Sequence, residues 1–388
     1  MQYFGILKIF NLAVLAVIVL GSSTASFAGP GRLDYTLGLN FVDNEGARVN
    51  VIEVQPDGRA IVAGNFRLAN EIRRDIVRLN PNNTIDTTFS AGSALAANGG
   101  SILAVKQQPD GKYLVGGTFN SFNGSFVPKL IRLNQDGSVD PTFNLTGLDV
   151  TFVFDIDLQS NGKVLISALN LIGSSFIARF TGTGEWDNSF LFSFFGGSGF
   201  TIDVTAGDKV FLSGAFSYTV GPRQGRGLAR LGADGSLDTS FIADVTATTF
   251  PSVIVQEISG GRVLIWGRFD FVNDLPRRGV AIVNVDGSTD LNFDPSVIQV
   301  ETIRAAEYQP DGKVIIAGEN FTRTNTRLRG NIARLNADGS IDQSFFQGRG
   351  AGGPVRVIRL RGPDRLMLGG DFFRYDRAAR KLVAQIFI

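Results

Sequence analysis

One line of sequence recurs seven times, and this repetition limits the fold more than any other feature. A basic residue after a tight turn stands at Arg59, Lys112, Lys163, Lys209, Arg262, Lys313 and Arg365. A second-half aspartate stands at Asp34, Asp86, Asp140, Asp187, Asp238, Asp290 and Asp342. The period is about 52 residues, long enough for one supersecondary unit that buries its faces only by stacking on its neighbours.

Each unit reads as four short strands. The first is apolar, as in Val51-Ile52-Glu53-Val54, and a Pro-Asp-Gly turn follows, in which glycine supplies the positive φ that a hairpin needs. The second, such as Val314-Ile315-Ile316-Ala317-Gly318, is apolar on both faces and so is expected to be buried on both. The third is of the Ile332-Ala333-Arg334-Leu335 type, and an Asp-Gly turn leads to a short fourth strand, Ser340 to Phe345. No segment after residue 28 carries a helical apolar period. Four strands per unit at this spacing predict an all-β, seven-bladed β-propeller of four-stranded antiparallel blades. The chain begins with a lone second half, Gly31 to Leu37, and ends on a third strand, Leu382 to Ile388. The N-terminal strand is therefore expected to complete the last blade and remove an exposed edge.

The pattern Gln108-Pro109-Asp110-Gly111-Lys112 to Gly117-Thr118-Phe119, followed by Arg132-Leu133-Asn134-Gln135-Asp136-Gly137-Ser138-Val139-Asp140-Pro141-Thr142-Phe143, resembles the delta-60 repeat family of bacterial exported proteins. The resemblance implies a propeller-like fold and brings no catalytic residue with it. The third unit departs most, with Asn161-Gly162 and Thr183-Gly184 in place of the Asp-Gly turns. The fifth has Ile282 where the third-strand arginine usually stands.

Residues 1–28 read as a secretory signal peptide: Lys8, an apolar run from Ile9 to Leu20, then small residues at the −3 and −1 positions of a cut after Ala28. The mature chain, 29–388, is expected to be one exported domain, monomeric and without a transmembrane helix, located in the periplasm, at the cell surface or outside the cell. The chain has 37 Lys and Arg against 36 Asp and Glu, which argues against a general nucleic-acid binder. It has no Cys and no His, which rules out thiolate nucleophiles, Cys or His zinc sites and Ser-His-Asp triads. The Asp-Gly-Ser-x-Asp turns lack the oxygen count of a calcium loop and read as hairpins. No metal, cofactor or catalytic residue is expected.

Binding is expected on the face that carries the variable loops between second and third strands, because variable loops on a rigid scaffold are where recognition sits. These loops are rich in arginine, and Arg277, Arg278, Arg323, Arg327, Arg329, Arg374 and Arg377 are the candidates. The run Phe190 to Gly197 adds Phe192, Phe194 and Phe195, which either fill a gap beside the third unit or form an aromatic platform. The function expected is non-catalytic binding or scaffolding toward a polymer, glycan or protein. The alternative is a glycan-processing hydrolase or lyase that uses two converging carboxylates, for which Asp155, Asp157, Asp203, Glu257 and Glu307 are the candidates.

Overall fold

Each first turn reverses the chain between two apolar strands. In unit one the Gln55 amide bonds the Arg59 carbonyl at 2.8 Å, and Gly58 sits at φ 81°. In unit four Asp208 takes the glycine's place at φ 60°, a conformation that aspartate tolerates better than most residues. Seven such hairpins, each with a third strand, form seven three-stranded antiparallel sheets. They span Arg48–Leu79, Ile102–Leu133, Val150–Phe180, Ser198–Leu231, Ser252–Val283, Thr302–Leu335 and Val355–Phe387. The computed structural model describes residues 29–42, 46–69, 74–92, 94–95, 100–143, 145, 148–192, 197–248, 252–295, 302–321, 330–345 and 348–388. Residues 1–28, read above as a signal peptide, lie outside them. Among the described residues the only helical element is the 3-10 turn Ser259–Gly261, and no helix is long and apolar enough to cross a membrane.

The fourth strand of each unit is shorter than the sequence suggests. It is one β-bridge per unit: Leu79 with Ile85, Leu133 with Val139, Phe180 with Trp186, Leu231 with Leu237, Val283 with Thr289 and Leu335 with Ile341. The reason is the aspartate that follows. Asp86 Oδ1 accepts the Thr88 amide at 2.9 Å and its hydroxyl at 2.6 Å, which turns the chain off the sheet. The same bridge in unit seven comes from the N-terminus, where Leu33 faces Ile386. The Gly31 amide bonds Phe387 O at 2.7 Å, and the Asp34 amide bonds Gln385 O at 2.8 Å.

The apolar core is divided among the joints between sheets. Among the described residues, seven clusters of buried side chains each draw on two units consecutive in sequence or on units seven and one. In the last of these, Val357, Met367 and Val383 pack with Val49, Val62 and Phe66. First strands touch the next sheet in order, and the first strand of unit seven touches that of unit one. The phenylalanines that close strands two and four, such as Phe66, Phe89, Phe119 and Phe241, are buried in these joints.

A polar latch repeats from unit to unit, although unit five has Ile282 in place of its arginine. The third-strand arginine bonds the turn aspartate of its own unit, as Arg78 Nε does with Asp86 Oδ2 at 2.7 Å, and lies over Phe89, 4.8 Å from the ring centroid. Its other nitrogen donates to a carbonyl of the next unit: Arg78 to Gln135 O at 2.6 Å, Arg230 to Val285 O at 2.8 Å. The basic residue of the first turn holds the same aspartate, as Lys112 Nζ holds Asp140 at 2.8 Å. Unit seven has Gln385 where the arginine would be, and Arg361 makes the contact to unit one instead. Its Nε donates to Gly58 O at 2.9 Å and its Nη2 to Asn80 O at 2.6 Å.

In every unit but the third, which has Ala168 there, one glycine permits a close approach inside the sheet. A Cβ on Gly318 would lie 2.1 Å from Thr302 O, beside the bulge between Ile303 and Ala305. Gly318→Ala is expected to lower the unfolding free energy by about 2–3 kcal/mol, read from urea denaturation. An unchanged midpoint would show that the bulge absorbs the methyl group.

Candidate functional site

The register of the seven sheets brings one first-strand position of each unit to the same level. These residues are Glu53, Lys106, Asp157, Asp203, Gln256, Glu307 and Arg359, which pair with Ile61, Leu114, Leu165, Phe211, Leu264, Ile315 and Met367. All seven are polar. An innermost strand has one edge without a ladder partner, and its amides need acceptors from elsewhere. The carboxylates supply them. Asp155 accepts the Ile202 amide at 3.0 Å, Asp157 the Val204 amide at 2.6 Å and Asp203 the Glu257 amide at 2.8 Å. Glu307 accepts the Leu360 amide at 3.4 Å. Lys106 Nζ pairs with Asp157 at 2.6 Å, and Arg359 approaches Glu307 at 3.7 Å. Glu257 stands one residue off this level and bonds the Ala206 amide.

Burial disfavours the charged form of these acids. It pushes Asp155 up to about 7, with the Ile202 amide opposing and the Asp157 charge adding. It pushes Asp203 up to about 6, the Glu257 amide opposing, and it raises Glu53 and Glu307. Four of the five acids singled out from sequence thus share the inner edge, and each holds an adjacent unit. Among the described residues no group of three or more acids is arranged to hold a metal ion.

Toward the start of the first strands lies a cavity of about 320 Å³. Every unit contributes to it: Asn50, Leu103, Phe154, Thr201, Ser252, Thr302 and Arg356, with Arg268 and Arg304 alongside. First strands begin, and second strands end, at the face that carries the loops between second and third strands. The cavity therefore opens at the centre of the face expected to bind. Arg304 Nη2 bonds Glu319 Oε1 at 2.6 Å, and Arg356 holds Asp371 with two bonds of 2.7 Å. The Arg268 side chain is exposed and makes no hydrogen bond or ion pair among the described residues. The stacked rings of Phe152 and Phe154, centroids 5.7 Å apart, are half-buried on the opposite side.

The residues expected to bind are divided. Arg278, Arg374 and Arg377 are exposed. Arg277 is buried, donates to Pro276 O and pairs with Asp294 at 3.3 Å, so it serves the loop's own structure. The loops of units two, five and seven are not open loops but two-residue ribbons; Phe271–Val272 and Leu275–Pro276, for instance, pair with each other and with Val245–Thr246. Arg278 follows the unit-five ribbon, and Arg374 and Arg377 belong to that of unit seven, so unit six lies between them. Phe192 meets Phe200 edge-on and packs on the joint between units three and four. Arg323, Arg327, Arg329, Phe194 and Phe195 lie outside the described residues. Sequence reasoning missed Arg268, Arg304 and Arg356. For the last two the signal was an arginine set between apolar residues of a first strand, as in Ile303-Arg304-Ala305.

Four segments, residues 55–89, 108–143, 208–241 and 309–345, match the family described as "Domain of unknown function (DUF5122) beta-propeller". They are the core of units one, two, four and six, and they place the repeat with a β-propeller repeat family. Units three and five, whose turns or third strands depart from the pattern, and unit seven, whose second half comes from the N-terminus, are not matched. No curated protein matches the sequence. Among solved structures, the extracellular domain of a proposed hybrid two-component system from B. thetaiotaomicron is 10% identical, with a TM-score of 0.49 over 90% of this chain and 39% of that one. Virginiamycin B lyase from Staphylococcus aureus is 11% identical, with a TM-score of 0.48 over 90% and 99%. PorZ, a surface component of the type-IX secretion system of Porphyromonas gingivalis, is 13% identical, with a TM-score of 0.46 over 93% and 47%. The chain spans less than half of the first and third of these.

Proposed function

We propose that this chain is an exported, closed, seven-bladed propeller of the delta-60 type that binds a partner outside the cytoplasm and catalyses no reaction. The seven joint clusters, the bridge from Leu33 to Ile386 and the Arg361 contact to unit one support closure. The observation that carries the functional reading is the use of the inner carboxylates. Asp155, Asp157, Asp203 and Glu307 each accept a main-chain amide of the next unit, so the acids that a glycan-processing site needs are engaged in holding the ring. The face above them keeps a cavity and exposed arginines.

The raised Asp155 and Asp203 favour one competing reading, because a glycosidase needs a carboxylic acid that stays protonated near neutral pH. One experiment separates the two. Purified 29–388 is applied to an array of glycans, polyanions and bacterial surface proteins at low and high salt, and each bound glycan is assayed for new reducing ends. Saturable binding without turnover is expected. New ends that disappear in Asp203→Asn would overturn the non-catalytic reading.

A further inference from the structure

We propose that the cavity where the first strands begin is a subsite for one monoanionic sugar residue, a hexuronate. The inference rests on the binding reading above and names the ligand class. At about 320 Å³ the cavity lies at the small end of ligand pockets, which run from about 300 to 1,000 Å³, so it takes one small molecule or one residue of a polymer. Its charge is specific. Among the described residues the Arg304 and Arg356 guanidiniums are neutralised by Glu319 and Asp371, and Arg268 has no acid partner. The lining thus carries one unmatched positive charge, which suits one carboxylate. Arg356 bonds Asp371 through Nε and Nη2, which leaves Nη1 uncommitted, and the Ser252 and Thr302 hydroxyls make no hydrogen bond among the described residues. These are donors for ring hydroxyls. Leu103 and Phe154 give the other wall an apolar surface that the C–H face of a pyranose can cover. A simple inorganic anion would leave that wall wet, and a neutral sugar would leave Arg268 unmatched.

Tryptophan fluorescence can read the site. The chain has two Trp, and Trp186 is removed by Trp186→Phe. The remaining Trp266 stands two residues before Arg268 and donates to Arg304 O at 3.3 Å. This variant of 29–388 is titrated with galacturonate, glucuronate, glucose, acetate and a galacturonate trimer. A uronate is expected to bind at least tenfold more tightly than glucose or acetate. Arg268→Ala is expected to weaken uronate binding tenfold or more with the melting temperature unchanged. If the trimer binds more tightly than the monomer and stays sensitive to Arg268, the natural ligand is a polymer; if they bind equally, it is the free sugar acid. Equal affinity for glucose or acetate, or indifference to Arg268→Ala, would overturn the assignment. In that case array binding that depends on Arg278 would leave the broader binding reading standing, whereas no array binding at all would remove both.

Discussion

Removing residues 29–37 is expected to abolish cooperative folding of the 29–388 chain. The segment is short, but it is held at every level. Leu33 and Leu37 are buried, and each contributes about 1.5–3 kcal/mol. Main-chain bonds join Gly31 and Asp34 to the last strand, and Phe387 N donates back to Arg32 O at 3.0 Å; such bonds contribute about 1 kcal/mol each. The Asp34 carboxylate receives Arg365 at 2.8 Å and Gln385 at 2.9 Å, and the buried Tyr375 hydroxyl donates to Gly31 O at 2.9 Å. Deletion leaves the buried Gln385 amide and Tyr375 hydroxyl without acceptors, at about 1–3 kcal/mol each, while Arg365 keeps Asp364. The sum is roughly 10 kcal/mol, comparable to the whole stability of an ordinary domain, about 5–15 kcal/mol. Thermal unfolding followed by circular dichroism checks it. The truncated chain should show no sharp transition, and a synthetic peptide of residues 29–42 added in excess should restore one. A truncated chain that melts like the full one would mean that the N-terminus only decorates unit seven and that the ring does not close through it.

The pairing of the N-terminus with the last strand was legible because the repeat is defined by residues with fixed jobs. Asp34 could be matched to Asp86 and Asp140 by sequence alone, and the structure gives all three the same kind of partners. Legibility fails where a job passes to a residue outside the pattern. Arg361 occupies a first-turn position that holds Gln55, Gln108 and Gln309 in other units, and nothing in its neighbours announces that it replaces the arginine missing at Gln385. Only the nearness of Gly58 and Asn80, about 300 residues away in sequence, reveals it. The ribbons were hidden for another reason. Two-residue strands carry no period to detect, and their partners, such as Val245–Thr246, come from the connection between units. The cavity combines both difficulties, since it draws on seven first strands, and no local window of sequence contains more than one of those strands.

Stability is expected to peak between about pH 4 and pH 5 rather than near neutrality, because two sets of acids pull in opposite directions. Burial alone would raise the turn aspartates, but the Thr88 hydroxyl and amide and the Arg78 guanidinium outweigh it and bring Asp86 down to about 2. Asp140, Asp187, Asp238 and Asp342 are driven lower still against the same burial, by their Ser or Thr, Lys and Arg donors. A depressed native value contributes stability that is complete above the unfolded value, near 4, and is lost as pH falls through the native one. These latches therefore fail together below about pH 4. Asp155 and Asp203 have raised native values, about 7 and about 6, so their contribution is complete below about pH 4 and is lost as pH rises through those values. A tenfold difference in proton affinity between the native and unfolded chain corresponds to about 1.4 kcal/mol. Allowing for their partial exposure, the two acids together lower stability by about 2–4 kcal/mol between pH 5 and pH 8. Urea denaturation at pH 2.5, 5 and 8 should give the largest unfolding free energy at pH 5. Asp155→Asn with Asp203→Asn keeps an oxygen to accept the Ile202 and Glu257 amides and removes the buried charge. The double variant should be more stable than the parent at pH 8, closely similar at pH 5, and equally sensitive to acid below pH 4. If the slope from pH 5 to pH 8 survives the double substitution, the inner acids do not set it. If the acid limb disappears with it, the turn aspartates are not the latches that their bonds make them.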